Sequence, residues 1–576
     1  MPVHNEDLAA AFDEMGDLLA LSADNPFRIN AYRRAARVVR GLPEELQARV
    51  AAGFDPDDLP GIGADLAGKI RVFLDTGELP GLARLRKSVP TGLRELLALP
   101  NVGPSRVRAL HEALGVRDLK SLRAALAAHR VREVAGFGPK RESQLEQAVA
   151  AHAGHDRRLL RPVASQYAAA LLSYLRNVPG IDQVEVAGSY RRGRETVGDL
   201  DFLVCSRGPV DIGKALLGYD ETASLLSAGP TKSSAVLKSG LQVDVRLVPP
   251  ASFGSALHYF TGSKAHNIHV RRLAMERGLK VNEYGVFRGE RQIAGTTEAS
   301  VFKAVGLPYI EPELREDRGE IEAAGVRRLP SLVKLDDLKG DLHVHTLATD
   351  GTTTLAEMAA AAKRAGLDYI AITDHAQHIG AVHGLDASRL ARQLDEIDSL
   401  NASLTGITLL KGIEVDILED GTLALPDRVL GKLDIVVAAV HDHFGLTRRR
   451  QTDRLLRAFD RPFVSVLAHP AARLIDERPA LDVAWNRVFR RAQERPVYLE
   501  LNSQPTRLDL DDILVREAIE NNVLISVASD AHGAQGFAFL DGGILQARRG
   551  WVSKADVLNT RPLREVRRLL RKTFLA

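Results

Sequence analysis

Apolar and polar residues alternate in short stretches near the middle of the chain, where β-strands are predicted. An apolar run over 184–187 leads into a turn at 188–193 that contains two glycines. Alternating strands are then expected over 199–204 and 241–248, because a strand exposes successive side chains on opposite faces. This part of the chain therefore predicts a β-sheet with a glycine turn at one edge.

Helical spacing of apolar residues marks the amino terminus, over 8–19 and 25–37. Three later segments, 59–70, 99–107 and a weaker copy at 134–141, pass from apolar residues through a glycine turn to a helix start. Such a turn directs backbone N–H groups toward phosphate without reading base sequence. An ordinary helical linker is the alternative. The candidate phosphate-binding residues are Gly61, Gly63, Gly103 and Ser105.

Strands and helices alternate after about residue 339, which is typical of a β/α barrel. Seven apolar strands each end in a polar residue, and the carboxyl ends of barrel strands are where such folds build active sites. The polar residues at or beside these ends are His343, His345, His375, Glu414, His441, His469, Asn502, Asp530 and His532.

Length and composition limit the class of protein. A chain of 576 residues with 45% hydrophobic content should divide into several domains. The net charge of +3 is nearly balanced, and a nucleic-acid enzyme needs only local basic surfaces. The single cysteine, Cys205, excludes an internal disulfide, and no apolar segment is long enough to span a membrane. We expect a soluble, cytoplasmic protein that does not act at membranes.

The predicted central sheet carries three carboxylates. Asp199 and Asp201 lie two residues apart and so share a face, and Asp244 lies on a later strand. Three oxygen ligands on adjacent strands suit a pair of Mg²⁺ ions that clamp the attacking and leaving oxygens of a phosphoryl displacement. Gly188 and Ser189 could approach phosphate, and Arg192 could neutralise a leaving pyrophosphate. The alternative is a solvated strand edge with a glycine turn.

The barrel strands carry the ligand types of transition metals. His343 and His345 are alternate residues on one strand and can bind one metal together. With imidazole and carboxylate ligands but no thiolate, Mn²⁺, Zn²⁺ and Fe²⁺ are all favoured over Mg²⁺.

Five motifs identify a family. GSYRRG at 188–193, GDLDFL at 198–203 and VDVRLV at 243–248 resemble the palm of family X DNA polymerases. The resemblance extends to HYFTGSKAHN at 258–267 and KVNEYGVF at 280–287. The amino-terminal glycine repeats resemble helix-hairpin-helix motifs. The carboxy-terminal strand series resembles the PHP (polymerase and histidinol phosphatase) domain.

The resemblance implies a multidomain α/β fold. Helical helix-hairpin-helix domains come first, then a nucleotidyltransferase palm with a mixed sheet, a thumb, and a distorted seven-stranded β/α barrel. The implied domains are 1–85 (lyase-like), 86–156 (fingers-like, with the second and third repeats), 157–250 (palm), 251–315 (thumb), 316–338 (linker) and 339–576 (PHP barrel).

The family assigns roles in the palm and thumb. Asp199 and Asp201 would bind both metals, Mg²⁺ or Mn²⁺, and Asp244 the metal that activates the primer 3′-hydroxyl. The residues implied to bind nucleotide are Gly188, Ser189, Arg192 and Gly198 for the triphosphate, Tyr259, Phe260 and Gly262 for the sugar, and Asn267 for the base, with Arg271 on the template side.

Lys69 matches the family lysine that forms a Schiff base with 5′-deoxyribose phosphate. The alternative is that Lys69 only contacts phosphate. Arg28 and Gly81 stand where animal relatives tend to carry lysine, so the chain departs from the family pattern at these two positions. The helix-hairpin-helix resemblance also allows a bound monovalent cation.

The PHP resemblance implies a trinuclear site with up to three divalent metals. It implies a 3′-to-5′ exonuclease, with 3′-phosphatase and abasic-site endonuclease as further options. The matching ligands are His343, His345, Asp350, His375, Glu414, His441, His469, Asp530 and His532.

The sequence thus predicts a bacterial-type repair polymerase that fills short gaps and trims 3′ ends. Its partners would be gapped or nicked DNA and dNTPs, and we expect a monomer. Two alternatives stay open. One is a DNA-end bridging protein with vestigial catalysis, and the other is a template-independent terminal transferase.

Overall fold

The computed structural model describes residues 5–575 apart from 23, 41–45, 60–61, 98–102, 140, 144, 147–148, 150–157, 379–381 and 476. The chain forms two compact units, Met1–Arg157 and Arg158–Ala576. Within these described residues, no helix is both long enough and apolar enough to cross a membrane.

The first unit is helical, as its apolar spacing predicts. One cluster of buried side chains runs from Leu8 to Val149 and so crosses the proposed boundary at residue 85. The rings of Phe12 and Tyr32 pack in this core with centroids 5.8 Å apart. The helices are Asn5–Leu21, Pro26–Arg40, Leu46–Ala51, Ala64–Thr76, Leu82–Ser88, Thr91–Leu96, Pro104–Leu114 and Leu119–Ala127.

Two of the predicted glycine turns begin helices. Gly63 precedes the helix Ala64–Thr76, and Gly103 precedes Pro104–Leu114. Both glycines are extended and offer no side chain to cap the helix. Within the described residues, the N–H groups at the start of Ala64–Thr76 are left for an external acceptor. In the second helix only that of Ser105 is left, because Pro104 has no N–H and Arg106 donates to the main-chain oxygen of Gly103. Gly61, and residue 140 in the third repeat, lie outside the described residues.

The second unit opens with a mixed five-stranded sheet of order β2-β4-β7-β6-β5. β4 and β7 run parallel at its centre, and the other neighbours are antiparallel. The strands are β1 (Leu159–Leu160), β2 (Gln183–Val186), β3 (Thr196–Val197), β4 (Asp199–Cys205), β5 (Thr222–Ala228), β6 (Lys232–Leu237) and β7 (Gln242–Val248). The helices are Arg161–Arg176, Gly188–Arg191 and Ile212–Leu217.

A second small sheet follows, of order β10-β9-β8. The segment 316–338, expected as a linker, is instead folded, because Ile321, Ala324 and Leu332 join the buried core of this part. The strands are β8 (Lys280–Asn282), β9 (Gly285–Arg288) and β10 (Arg291–Ala294). The helices are Phe253–Thr261, Lys264–Glu276, Glu298–Ala304 and Glu320–Gly325.

The carboxy-terminal part is a seven-stranded parallel sheet in sequential order. It is nearly closed, since a parallel bridge joins Val344 to Ala531. The strands are β11 (Gly340–Val344), β12 (Tyr369–Ile372), β13 (Thr408–Asp416), β14 (Ile435–Ala439), β15 (Val466–Leu467), β16 (Tyr498–Asn502) and β17 (Ile525–Ala528). The helices are Leu355–Arg364, Ala387–Asn401, Asp427–Leu430, Arg448–Phe459, Trp485–Glu494, Asp512–Glu520, Leu540–Arg549 and Leu563–Leu575.

Two barrel strands differ from the expectation that each strand ends at or beside its polar residue. β15 has only two residues and stops before His469; Phe463, three residues before β15, has a left-handed backbone (φ 79°). β13 instead continues through Glu414 to Asp416, since its pairing with β14 extends that far. Glu414 therefore lies inside a strand and points into the barrel site from there.

Candidate active sites

The three carboxylates meet near the amino-terminal ends of the two central strands, β4 and β7, of the five-stranded sheet. In the parallel register of β4 and β7, Asp201 is the direct partner of Asp244. Asp199 begins β4, two residues before Asp201, so it faces the same way. The predicted triad is therefore present, and its members come from neighbouring strands.

The glycine turn lies against this triad. Gly188 has φ +64°, and a Cβ atom placed on it would lie 2.4 Å from Asp201 Oδ2. Only glycine fits such a contact, so the backbone of the turn approaches the carboxylates closely. Residues 188–191 form a single helical turn, and Ser189 lies on it.

The charges of the triad are only partly compensated. Removal from water, with repulsion from Asp199 and Asp244, raises the pKa of Asp201 to about 7. Burial opposes ionisation of Asp244 too, but Lys232 Nζ lies 2.6 Å from its carboxylate and helps hold its pKa below the ordinary value. Three clustered carboxylates, one of which has its pKa raised by burial and by its two neighbours, are a donor set that a divalent cation fits.

Arg192 does not point freely into solvent. Its Nε is 3.0 Å from Glu316 Oε1, and its Nη1 donates to the main-chain oxygen of Thr261 at 2.5 Å. The neighbouring Arg191 forms a two-pronged pair with Glu298 at 2.7 and 2.8 Å. These pairs tie the turn to the segment after β7.

Some of the residues implied to hold the nucleotide contact one another. A Cβ on Gly262 would lie 3.3 Å from Arg192 Nη1, so the two positions are adjacent. Asn267 donates to the main-chain oxygen of Tyr259 at 2.6 Å. Phe260 packs under the guanidinium of Arg246, 4.1 Å from the ring centroid. The remaining two lie apart from these contacts: Arg271 is exposed on Lys264–Glu276, and Gly198 abuts Arg158.

In the first unit, Lys69 contacts two residues. Its ammonium pairs with Asp65 and lies 5.6 Å from the ring centroid of Tyr32. Gly103 and Ser105 are exposed at the start of Pro104–Leu114. These positions agree with a phosphate-binding surface.

The barrel brings the predicted ligands together at the carboxyl ends of its strands. His343 and His345 are buried, and their Nε2 atoms face each other at 3.1 Å. Three overlapping groups each place their donor atoms within 4.8 Å of one another. The groups are His345, Asp350, His375 and His532; His343, His345 and Asp530; and His375, Glu414 and His441.

Glu414 is the shared carboxylate of this site. Its oxygens lie 2.7 Å from His375 Nδ1, 3.0 Å from His469 Nε2 and 3.3 Å from His441 Nε2. Burial opposes the charged form of His375, but Glu414 and Asp350 outweigh it and raise its pKa to about 10. Glu414 and Asp350 therefore favour a positive charge beside them, either on the His375 ring or on a bound cation.

The donor set fits a group of metal ions. His345 is fully buried, and its Nδ1 has no hydrogen-bond partner in the part of the chain that the structure describes. Burial and the neighbouring imidazoles lower its pKa, which favours the neutral ring that a metal ligand needs. Facing ring nitrogens and buried carboxylates are otherwise a costly arrangement, which bound cations would relieve.

Comparison with known proteins follows the same division of the chain. Family models match as a helix-hairpin-helix domain over 3–79, a SAM-like helix-hairpin-helix tandem over 93–147, a DNA polymerase beta palm over 158–225, a DNA polymerase beta thumb over 256–316 and a PHP domain over 341–504.

One relative matches over the whole length. The DNA polymerase/3′-5′ exonuclease PolX of Bacillus subtilis is 36% identical over 574 residues, which cover 99% of this chain and 100% of the relative. The chain belongs to the family X DNA polymerases with a PHP domain. A probable phosphatase of Caldanaerobacter subterraneus is 32% identical over 204 residues, 33% of this chain and 75% of that protein. A probable phosphatase of Thermoanaerobacter is 28% identical over 232 residues, 38% of this chain and 89% of its own.

Some residues around the family X palm were missed from sequence. Lys232 lies on β6 and neutralises Asp244. The two residues come together because β6 pairs with β7, and the sequence does not show that pairing. Glu298 binds Arg191 and Arg315 together; burial opposes its charge, but these cations lower its pKa to about 2. No spacing rule links residues so far apart.

The PHP site also holds carboxylates that the sequence analysis left out. Glu500 lies 2.7 Å from His343 Nδ1 and accepts the main-chain N–H of His469 at 2.5 Å. Asp416 lies 2.8 Å from His441 Nδ1. Each carboxylate orients a ligand ring from behind. The available signal was strand alternation, since Glu500 and Asn502 share a face of β16.

Proposed function

We propose that this family X polymerase adds dNTPs to primer 3′ ends in short DNA gaps, and that its PHP barrel removes nucleotides from 3′ ends. The observation that carries the polymerase activity is the register of Asp201 beside Asp244, with Asp199 on the same face. It supports divalent metal use in nucleotidyl transfer, for which we propose Mg²⁺ or Mn²⁺.

In the palm, two metals would supply the charge that steadies the attacking and leaving oxygens. Asp199 and Asp201 would hold both of them, and Asp244 would face the primer 3′-hydroxyl. The N–H groups of Gly188 and Ser189 and the edge at Gly198 would receive the triphosphate.

Arg192 would exchange the Glu316 carboxylate for a phosphate oxygen when the nucleotide binds. Tyr259, Phe260 and Gly262 would border the sugar, beside Arg192. Asn267 would reach the base edge from its bond to Tyr259, and exposed Arg271 would reach the template.

The barrel would bind up to three ions of Mn²⁺, Zn²⁺ or Fe²⁺. All nine proposed ligands lie at the same end of the strands, and Glu414 links His375, His441 and His469. Such metals supply an activated water for attack on phosphorus. A 3′-phosphatase is a second candidate, because the relatives of this part are probable phosphatases. An abasic-site endonuclease is a further option of the same chemistry.

The first unit would bind the DNA backbone at a gap or nick. Gly63, Gly103 and Ser105 begin helices or lie in their first turn, which supports phosphate contact; Gly61 keeps this proposed role. A monovalent cation at these turns and a monomeric state remain proposals. Lys69 remains a proposed lyase nucleophile, and borohydride trapping of 5′-deoxyribose phosphate in the parent but not in Lys69→Ala would support it.

The deciding experiment is a time course on a one-nucleotide-gapped duplex labelled at the primer 5′ end, with Mn²⁺ and with or without dNTPs. We expect extension when dNTPs are present and shortening when they are absent. An unchanged primer on DNA that is demonstrably bound would instead indicate a DNA-end bridging protein. Extension that persists after the template strand is omitted would indicate a terminal transferase.

A further inference from the structure

Arg549 connects the PHP barrel to the nucleotide-binding turn of the palm. It ends the barrel helix Leu540–Arg549, and only 3% of its surface is exposed. Its Nη1 donates to the main-chain oxygen of Arg192 at 2.8 Å and to Glu316 at 2.9 Å, and its Nη2 donates to Asp512 at 2.7 Å. One buried guanidinium thus holds the palm turn, the segment after the thumb and the barrel.

The turn also packs directly on that barrel helix. Gly193 has φ +71°, and a Cβ atom on it would lie 3.5 Å from Leu545 Cβ and 3.6 Å from Arg549 Cδ. The backbone of the turn therefore rests against side chains of the barrel, and its position depends on theirs.

A second ion pair fixes the far end of the same turn. Arg473 binds Glu195 in two-pronged fashion, at 2.7 and 3.3 Å. Arg473 lies four residues after His469, and its main-chain N–H donates to Asp509 at 3.3 Å. The loop that follows a proposed metal ligand of the barrel is thus attached to the palm two residues after Gly193.

We propose that Arg549 and Arg473 are positioning residues for nucleotidyl transfer. The groups expected to receive the triphosphate, the N–H groups of 188–189 and the Arg192 side chain, belong to the turn that these two arginines hold. Arg549 is buried and Arg473 is partly buried. The charge-assisted bonds of a guanidinium group fix both the distance and the orientation of its partner, which an ordinary packing contact does not. The PHP barrel is then a structural part of the polymerase's nucleotide pocket. This inference rests on the proposed polymerase activity.

The test is steady-state gap filling by the full-length protein, with KM and kcat for dNTP measured separately. In Arg549→Gln we expect KM to rise about tenfold with kcat nearly unchanged, a size common for coupling between sites. Arg549→Lys, which keeps the charge, should recover part of the loss. The matched control is Arg491→Gln, which removes a barrel ion pair with Asp460 (2.5 Å) that does not involve the palm and should leave KM unchanged.

A double-mutant cycle on Glu195→Gln and Arg473→Gln keeps the test valid if Arg549 variants fail to fold. Because the two side chains contact each other, each single change should raise KM, and the double change should add little more. The exonuclease reaction without dNTPs verifies that the barrel is intact. Variants with the parent's KM, in a protein that does extend primers, would overturn the proposal. A parent that extends no primer would instead refute the polymerase activity.

Discussion

Asp201 and Asp244 are direct partners across the parallel strands β4 and β7. Lys232, on the neighbouring strand β6, lies 2.6 Å from Asp244. The lysine balances one carboxylate and leaves the repulsion between Asp199 and Asp201. The site is therefore built for more positive charge than the chain itself supplies.

Replacing Asp244 should abolish nucleotide addition. Asp244→Ala removes the side chain proposed to face the 3′-hydroxyl and a metal. We expect gap filling to fall about a thousandfold, which corresponds to about 4 kcal/mol of activation barrier. Exonuclease activity should be retained, since the barrel site is separate. The control is Asp220→Ala, an exposed palm acid. Substantial polymerisation by a clean Asp244→Ala preparation would contradict the palm assignment.

The metal-free stability of the protein should depend on Asp201 in a defined pH range. Its pKa rises from 3.8 to about 7 on folding, so the protonated form is favoured in the native state. That stabilisation is fully present below pH 3.8 and is lost as the pH rises through about 7. In EDTA, Asp201→Asn should therefore gain stability over the parent with rising pH, by on the order of 3 kcal/mol at pH 8. Denaturant melts at pH 4.5, 6 and 8 measure this. The same difference in free energy of unfolding between variant and parent at all three pH values would refute this prediction.

His343→Ala should have the opposite activity profile to Asp244→Ala. His343 is buried between Glu500 and the ring of His345, and its loss removes a proposed ligand shared by the barrel site. Shortening of the labelled primer should stop, while gap filling in the same preparation continues and serves as the control for folding. If shortening persists at the parent's rate, the nuclease lies elsewhere.

Glu500→Gln should weaken the metal site without removing a proposed ligand. Glu500 accepts from His343 and from the main chain of His469, and such supporting carboxylates change metal affinity by about 10–100-fold. Exonuclease activity titrated with Mn²⁺ should thus require more metal and recover at high concentration. Glu494→Gln, at a surface pair with Arg491, is the control. If no Mn²⁺ concentration restores the exonuclease activity of this variant, Glu500 has a direct catalytic role.

Gly103→Asp should weaken DNA binding while preserving the fold. Asp is a favourable residue before a helix, and none of the residues that the structure describes comes within 4 Å of a Cβ at this position. The new carboxylate would repel a phosphate there, and we expect about tenfold weaker binding to gapped DNA, with a reduced salt dependence. Gly208→Asp, an exposed palm position with similar space, should bind as the parent does. Equal binding by both variants would exclude the turn as a phosphate site.

Much of the fold could be predicted from the sequence because its signals are local. Strand alternation placed Asp199 and Asp201 on one face, and β4 and β7 lie within a residue of the predicted strands. The barrel ligands could be predicted because each follows or lies on its own apolar strand, and parallel strands bring these ends together. The glycine repeats likewise mark helix starts at Gly63 and Gly103.

The sequence by itself determined the family, the order of the folded parts and the residue types at both sites. Only the tertiary structure decided which charges compensate them: Lys232 for Asp244, Glu500 for His343, and Arg549 for the turn at Arg192. Arg549 lies 357 positions from Arg192, and no periodicity extends across such a distance. Partners of this kind are set by how whole elements pack, because a buried charge must find its partner wherever the fold places one.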